Sequence, residues 1–237
     1  DEMELAEQNG LGRWDDDYHR YLRDRGLVDR NDLEDQLREY RALAPKKYWD
    51  TCGAMESNLP EEHHSTTWVG DRAVKTVQTW SAERPGMLLV GFIKPHHPFD
   101  PPRRWAQKYD PGEMSILPGW IDEPLERDLE FSPGYFPHVE LTEATVRRAT
   151  AYYYATISQI DWHVGRIVEV LKRKGVYDNT IIVFTSDHGE YLGFHHMLLK
   201  GNHMYDPLAK VPLIVKYPGG KWAGTTSAGA APSSAGW

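Results

Sequence analysis

The sequence predicts an α/β domain, a mixed and mostly parallel sheet flanked by helices, and three observations predict it. Two apolar runs of strand length, 87–93 and 181–186, are separated by a long segment of helical periodicity, and a third such run, 211–217, follows. Each of the first two runs ends on residues fit for chemistry, Lys94-Pro95-His96-His97 and Asp187-His188. Alternation of strand and helix marks α/β architecture, and in open sheets of that class the functional crevice lies beyond the carboxyl ends of the strands. At 237 residues the chain can bury a sizeable core as one large domain, and no linker divides it in two.

The elements follow in order. Residues 1–60 are polar and charged, with a short helix expected from Asn31 to Ala42, where Asp32, Leu33, Leu37 and Tyr40 recur at helical spacing. Ser65 is placed to cap a helix in which Val69, Ala73, Val77 and Trp80 share a face. Met87 to Ile93, preceded by Pro85-Gly86 and ended by Pro95, reads as a buried strand. Asp100 to His138, rich in Pro, Gly and aromatic residues without a sustained period, reads as a long ordered loop over the sheet. Thr142 then caps the clearest helix, with Ile157, Ile160, Val164, Ile167 or Val168, and Leu171 at three- and four-residue steps and Gly175 as terminator. Tyr177-Asp178-Asn179 turns the chain into the strand at 181–186, and Pro212 must stand at the start or on an exposed edge of the strand at 211–217. Ala223 to Trp237 is almost wholly Ala, Gly, Ser, Thr and Pro, so the domain is expected to span 1–222 and 223–237 to be a disordered tail.

Composition excludes several classes. A formal net charge of −8 without a basic stripe argues against a nucleic-acid surface. No apolar run approaches the roughly 20 residues that span a bilayer, and the amino terminus lacks the shape of a signal peptide, so a soluble chain without a membrane partner is expected. The single cysteine, Cys52, excludes an internal disulfide and a cysteine-cluster metal site. Because the first residue is Asp1 rather than Met, a fragment is expected. Oligomeric state does not follow from the sequence.

Three segments carry the chemistry. Asp187 and His188 stand side by side as potential metal ligands, the plainer alternative being an Asp-His-Gly turn. Lys94-Pro95-His96-His97-Pro98-Phe99 faces the same edge if the two strands are parallel, and its prolines limit the backbone freedom of the imidazoles, which otherwise read as structural histidines. His195, His196, Lys200, Gly201, His203, Tyr205 and Asp206 form the third segment, in which a loop lysine suits a sulfate or phosphate oxygen unless it is merely solvated. Asp, His and Lys converging at one sheet edge is the set needed for metal-assisted attack on a tetrahedral oxyanion ester.

The chain resembles the sulfatases of the alkaline phosphatase superfamily. The matching words are Val-Gly-Phe-Ile-Lys-Pro-His-His-Pro-Phe at 90–99, Asp178-Asn179-Thr180 leading into Thr-Ser-Asp-His-Gly-Glu at 185–190, and Leu199-Lys200-Gly201 followed by Val-Pro-Leu-Ile-Val at 211–215. Their Asp-His form is similar to the iduronate-sulfatase, choline-sulfatase and phosphonate-monoester-hydrolase branches. The resemblance implies an alkaline-phosphatase-like fold, here incomplete at both ends, with Asp187 and His188 as metal ligands. It also implies that His96 contacts the sulfate or protonates the leaving group, and that Lys200 neutralises a sulfate oxygen. Those two are the catalytic candidates, and Lys94, His97, His196 and His203 are the substrate-binding candidates. The implied metal is calcium, with manganese or zinc as alternatives. The implied substrate is a small sulfate ester, the alternatives being a phosphonate or phosphate ester, or a non-catalytic role in binding anions or carbohydrate. One departure matters: the family's Cys-x-Pro-Ser-Arg word, whose first residue becomes formylglycine, is absent, because Cys52-Gly53-Ala54-Met55-Glu56 lacks the Pro, Ser and Arg. Formylglycine is thus expected in the complete enzyme but is not encoded here, and the chain alone is expected to bind metal weakly and to lack turnover.

Overall fold

The computed structural model describes residues 16–32, 50–81, 83–131, 141–220 and 224. Its elements are α1 (Asp17–Arg23), α2 (Ser65–Thr79), α3 (Arg103–Ala106), α4 (Glu126–Phe131), α5 (Glu143–Arg173), β1 (Ile182–Thr185), α6 (Asp206–Ala209) and β2 (Leu213–Lys216). The expected helix beyond Asp32, the stretch 132–138 of the long loop and, apart from Gly224, the tail at 223–237 lie outside the described residues.

Helix α5 begins and ends for local reasons. At its start Thr142 Oγ1 accepts from Thr145 N (3.2 Å) while Thr145 Oγ1 accepts from Thr142 N (2.9 Å), a reciprocal capping box. At its end Gly175 adopts φ +68°, which lets Val176 N donate to Leu171 O and Gly175 N to Lys172 O, the Schellman pattern that satisfies the last carbonyls. Its inner face differs from the expected stripe. Ile160 and Leu171 are buried, but Ile157 is 39% exposed, and the helix packs mostly through Ala149, Thr150, Ala151, Ala155 and Thr156. Further along, a glycine lets another helix come close. That helix is α2, whose Gly70 lies against His163, where a Cβ would fall 2.2 Å from the ring Nδ1. Gln159 Nε2 donates to Thr67 Oγ1 across the same seam (3.3 Å). The cap of α2 is His64 rather than Ser65, its Nδ1 accepting from Thr66 N, a shift of one residue that is ordinary for a helix end.

The sheet departs further from expectation. Among the described residues the only ladder is antiparallel, β1 against β2, with Ile182 opposite Lys216 and Thr185 opposite Leu213. The expected mostly parallel sheet is not seen among these residues, whose parallel pairing is a single bridge, Ala54 with Phe99. Residues 87–93, expected as a buried strand, are extended without a ladder, and Met87 (92%) and Leu89 (87%) lie open. Leu88 alternates inward onto the cluster of Val77, Val170, Leu171 and Ile182. One face of this layer thus rests on α2 and α5, while burial of the other would need a second layer that the described residues do not supply. Pro212 stands just before β2, as its missing N–H requires. The long loop after Asp100 is ordered by α3, a 3-10 turn at Pro111–Glu113 and α4. Among the described residues no helix is long and apolar enough to cross a membrane.

Candidate active site

The site is assembled on one core cluster. Cys52, Ala54, Met55 and Phe99 pack with Leu141 and Ala149 at the start of α5 and with Leu192, Leu198 and Leu199. Phe99 closes the Lys94–Phe99 turn and Leu199 immediately precedes Lys200, so burial of these side chains draws two distant segments together.

Within the turn at 94–100 the side chains divide between interior and site. Lys94 and Asp100, 5% and 0% exposed, form an ion pair, and the Lys94 ammonium also donates to Pro98 O (2.7 Å). Asn31 Nδ2 donates to the other Asp100 oxygen (3.3 Å). One ammonium faces the carboxylates of Asp100, Asp32 and Asp29. Burial works against the charged lysine, but those carboxylates outweigh it and hold Lys94 above the ordinary lysine value. Burial and mutual repulsion push Asp29 up to about 7, and burial outweighing Lys94 pushes Asp100 up to about 6. His97 also turns inward. Its Nε2 donates to Cys52 O (2.7 Å), and its ring occupies the space where a Cβ at Gly53 would sit. His96 turns the other way, its Nδ1 donating to His97 O (2.6 Å) and its Nε2 receiving the Lys200 ammonium. A carbonyl only accepts and an ammonium only donates, so this ring carries its proton on Nδ1 and its lone pair on Nε2.

Lys200 is presented by a loop that closes on itself. Gly189 N donates to Leu208 O (2.7 Å), Glu190 N to Pro207 O (3.1 Å) and Tyr191 N to Leu199 O (3.0 Å). Gly189 is required at this crossing, since a Cβ there would lie 1.9 Å from Pro207 O. Leu192, His195, His196 and Leu199 all take left-handed φ, a strain that persists only where the surroundings fix it. Burial pushes the Glu190 carboxyl up to about 7 against the opposing pull of the Leu192 and Leu199 amides and the Lys200 charge.

Asp187 lies in the open and His188 is partly exposed. The Asp187 side chain is 86% exposed, and its Oδ1 accepts from His188 N (2.9 Å). Slight burial works to raise the Asp187 carboxyl, but the amide and ring of His188 hold it below the ordinary aspartate value. His188 Nδ1 donates to Gly189 O (2.7 Å), which leaves Nε2 3.9 Å from Asp187 Oδ2. A divalent cation bound at about 2.0–2.4 Å from each atom would fit between them. Among the described residues no three His, Cys, Asp or Glu side chains are grouped to hold a metal ion.

The remaining histidines tie loops together. Both ring nitrogens of His196 face carbonyls, Nδ1 that of Ile121 (2.9 Å) and Nε2 that of Leu141 (3.1 Å), and the ring stacks on Trp120. His203 Nε2 donates to Asp128 O (3.3 Å), while buried Asp128 receives Tyr205 OH (2.8 Å) and His195 Nδ1 (3.1 Å). The structure therefore brings His96 and Lys200 together, commits the polar groups of Lys94, His97 and His196 to the interior, and leaves Asp187 exposed and His188 partly exposed. Sequence reasoning missed Asp100, Asn31 and Glu190. Asp100 directly follows the Lys-Pro-His-His-Pro-Phe word, and Glu190 closes the Thr-Ser-Asp-His-Gly-Glu word.

Comparison with known proteins places the chain among sulfatase-like α/β folds. The Sulfatase family model matches residues 20–233, and the chain belongs to that family. It is 30% identical over 165 residues to an arylsulfatase of Clostridium perfringens, covering 67% of this chain and 33% of that protein. It is 33% identical over 143 residues to a choline-sulfatase of Rhizobium meliloti, covering 58% and 28%. The crystal structure of phosphonate monoester hydrolase from Agrobacterium radiobacter superposes with a TM-score of 0.58 at 25% identity, covering 70% of this chain and 35% of that one. The chain thus spans about a third of the length of the relatives it matches.

Proposed function

We propose that this chain forms part of a sulfatase that hydrolyses a small sulfate monoester, with His96 and Lys200 as its substrate-facing pair. The observation that carries the reading is their contact, made between residues 104 positions apart in a chain of the sulfatase family. Lys200 neutralises a non-bridging sulfate oxygen. His96, once protonated at Nε2, gives that proton to the departing alkoxide while His97 O keeps the ring in place through Nδ1. The charge of ionised Glu190, which Lys200 favours, helps to steady the ammonium.

Asp187 and His188 contribute an oxygen and a nitrogen to a divalent cation, calcium or else manganese or zinc, which supplies positive charge to the sulfate when bound. A formylglycine nucleophile belongs to this reading as a group the sequence does not encode. In the complete domain 87–93 and β1 join a larger, mostly parallel sheet, and residues 1–222 form one catalytic unit with 223–237 as its tail. The second reading, hydrolysis of a phosphonate ester, is favoured by the likeness to phosphonate monoester hydrolase.

The test uses a complete sulfatase into which residues 60–220 of this chain have been exchanged, assayed on matched aryl sulfate and aryl phosphonate. The proposal expects faster sulfate hydrolysis and its loss in His96→Ala. A preference for the phosphonate selects the second reading, and full activity in His96→Ala removes the imidazole from the mechanism.

A further inference from the structure

The turn that presents His96 is fixed unequally at its two ends. On the far side Met55 N donates to Phe99 O (3.2 Å), Ser57 N donates to Pro101 O (3.1 Å), and Ala54 bridges Phe99. On the near side the chain arrives from 87–93, which has no ladder among the described residues. Lys94 is the first buried polar anchor it meets. Its ammonium spans the turn to Asp100 and to Pro98 O, and Asp100 in turn receives Asn31 from the segment that follows α1.

We propose that the Lys94–Asp100 pair, held by Asn31, is a positioning clasp that closes the 94–100 turn and thereby fixes the direction and tautomer in which His96 meets Lys200. A buried ion pair is weak evidence for stability, because desolvating two charges offsets most of their attraction and apolar residues often serve as well. Specifying geometry is a role that apolar residues cannot fill here, since an apolar side chain has no donor for either the Asp100 carboxylate or the Pro98 carbonyl. The surplus of carboxylates around Lys94 serves the same end by keeping the ammonium charged in the interior. Lys94, Asp100 and Asn31 act through His96 and are positioning residues.

The inference rests on the reading of His96 as a substrate-facing group, so its test reads the imidazole itself. In the full 237-residue chain with 15N-labelled histidine, His96 should show the Nδ1–H tautomer, with Nε2 perturbed by Lys200→Ala. In Asp100→Asn and in Lys94→Met, that signal should move to a tautomer mixture dominated by Nε2–H while the His196 signals stay in place. In the exchanged complete enzyme the same variants should lower kcat on the order of ten- to a hundredfold with little change in KM, as a displaced catalytic group does. Should neither variant fold, Asn31→Ala, which removes a single support, should move His96 in the same direction by less. An unmoved His96 tautomer in any folded variant of Lys94 or Asp100, or in Asn31→Ala where it alone folds, overturns the clasp. A moved tautomer with unchanged kcat keeps the clasp and removes His96 from the proposed chemistry.

Discussion

His96 and Lys200 stand on turns fastened by their own hydrogen bonds and by a shared apolar core, whereas Asp187 and His188 stand at the end of a strand whose layer is covered on one side only among the described residues. The first pair inherits its order from Phe99, Leu198, Leu199 and the crossing of Gly189 with Leu208. The second inherits its order from β1 and β2, where Val183 is 56% and Leu213 68% exposed. A side chain on a self-anchored loop is preorganised by nearby sequence, while one at a strand end is only as well placed as the sheet behind it. Among the described residues the proposed oxyanion contact has both of its side chains together, His96 and Lys200, whereas the proposed metal pair has no third ligand grouped with it.

The largest expected effect falls on the anchored pair. Lys200→Ala in the exchanged complete enzyme should lower turnover by about a hundredfold or more, the usual loss when one charge contact to a developing oxyanion goes, with the melting temperature little changed. Unchanged turnover would place Lys200 on the solvated surface and erase the contrast. Next comes the crossing that joins the two pairs. Gly189→Ala should destabilise the chain by about 1–3 kcal/mol in urea unfolding, because the new methyl meets the Pro207 carbonyl and backbone has to move. Wild-type stability would show that the crossing gives way easily.

A smaller effect is expected from pH. The Glu190 carboxyl lies at about 7 in the fold against an ordinary 4.5, so the folded state binds its proton more tightly. Its contribution to stability is full below pH 4.5 and is lost as pH rises through about 7. His64, at about 3, and His163, at about 4, act in the opposite sense in the helix pair, contributing above 6.5 and losing that contribution as pH falls toward those values. Melting curves between pH 4.5 and 8 should therefore show Glu190→Gln rising relative to wild type as pH increases. Parallel curves would contradict the burial of that carboxyl. The smallest effect belongs to the open pair: Asp187→Ala should change stability by less than about 0.5 kcal/mol, as exposed substitutions do. A larger loss would show that the strand end is held by more than its hydrogen bonds to His188.

What could be read from sequence follows the same division. The limits of α5 were legible because Thr142 and Gly175 act within a few residues of themselves. Its packing face was not, because Ala149, Ala151 and Ala155 are buried yet carry little hydrophobic signal, Ala149 packing into the Phe99 cluster while α2 meets the helix further along, at Gln159 and His163. The meeting of His96 and Lys200 was expected from three segments converging at one sheet edge, and the contact is made between loops instead. Which of two consecutive histidines turns inward was not legible, since the Cys52 carbonyl and the space above Gly53 decide it from 45 positions away. Residues 87–93 read as buried because they are apolar, yet burial belongs to neighbours, and the described residues cover one face only.

The central claim is that His96 and Lys200 form a ready oxyanion contact in this chain without the metal pair. Titrating the 15N-histidine-labelled chain with inorganic sulfate tests it directly. The account predicts that sulfate shifts the His96 Nε2 signal while leaving His97 and His196 in place, that Asp187→Ala retains this response, and that Lys200→Ala abolishes it. A His96 signal indifferent to sulfate, or a response unchanged in Lys200→Ala, would contradict the account.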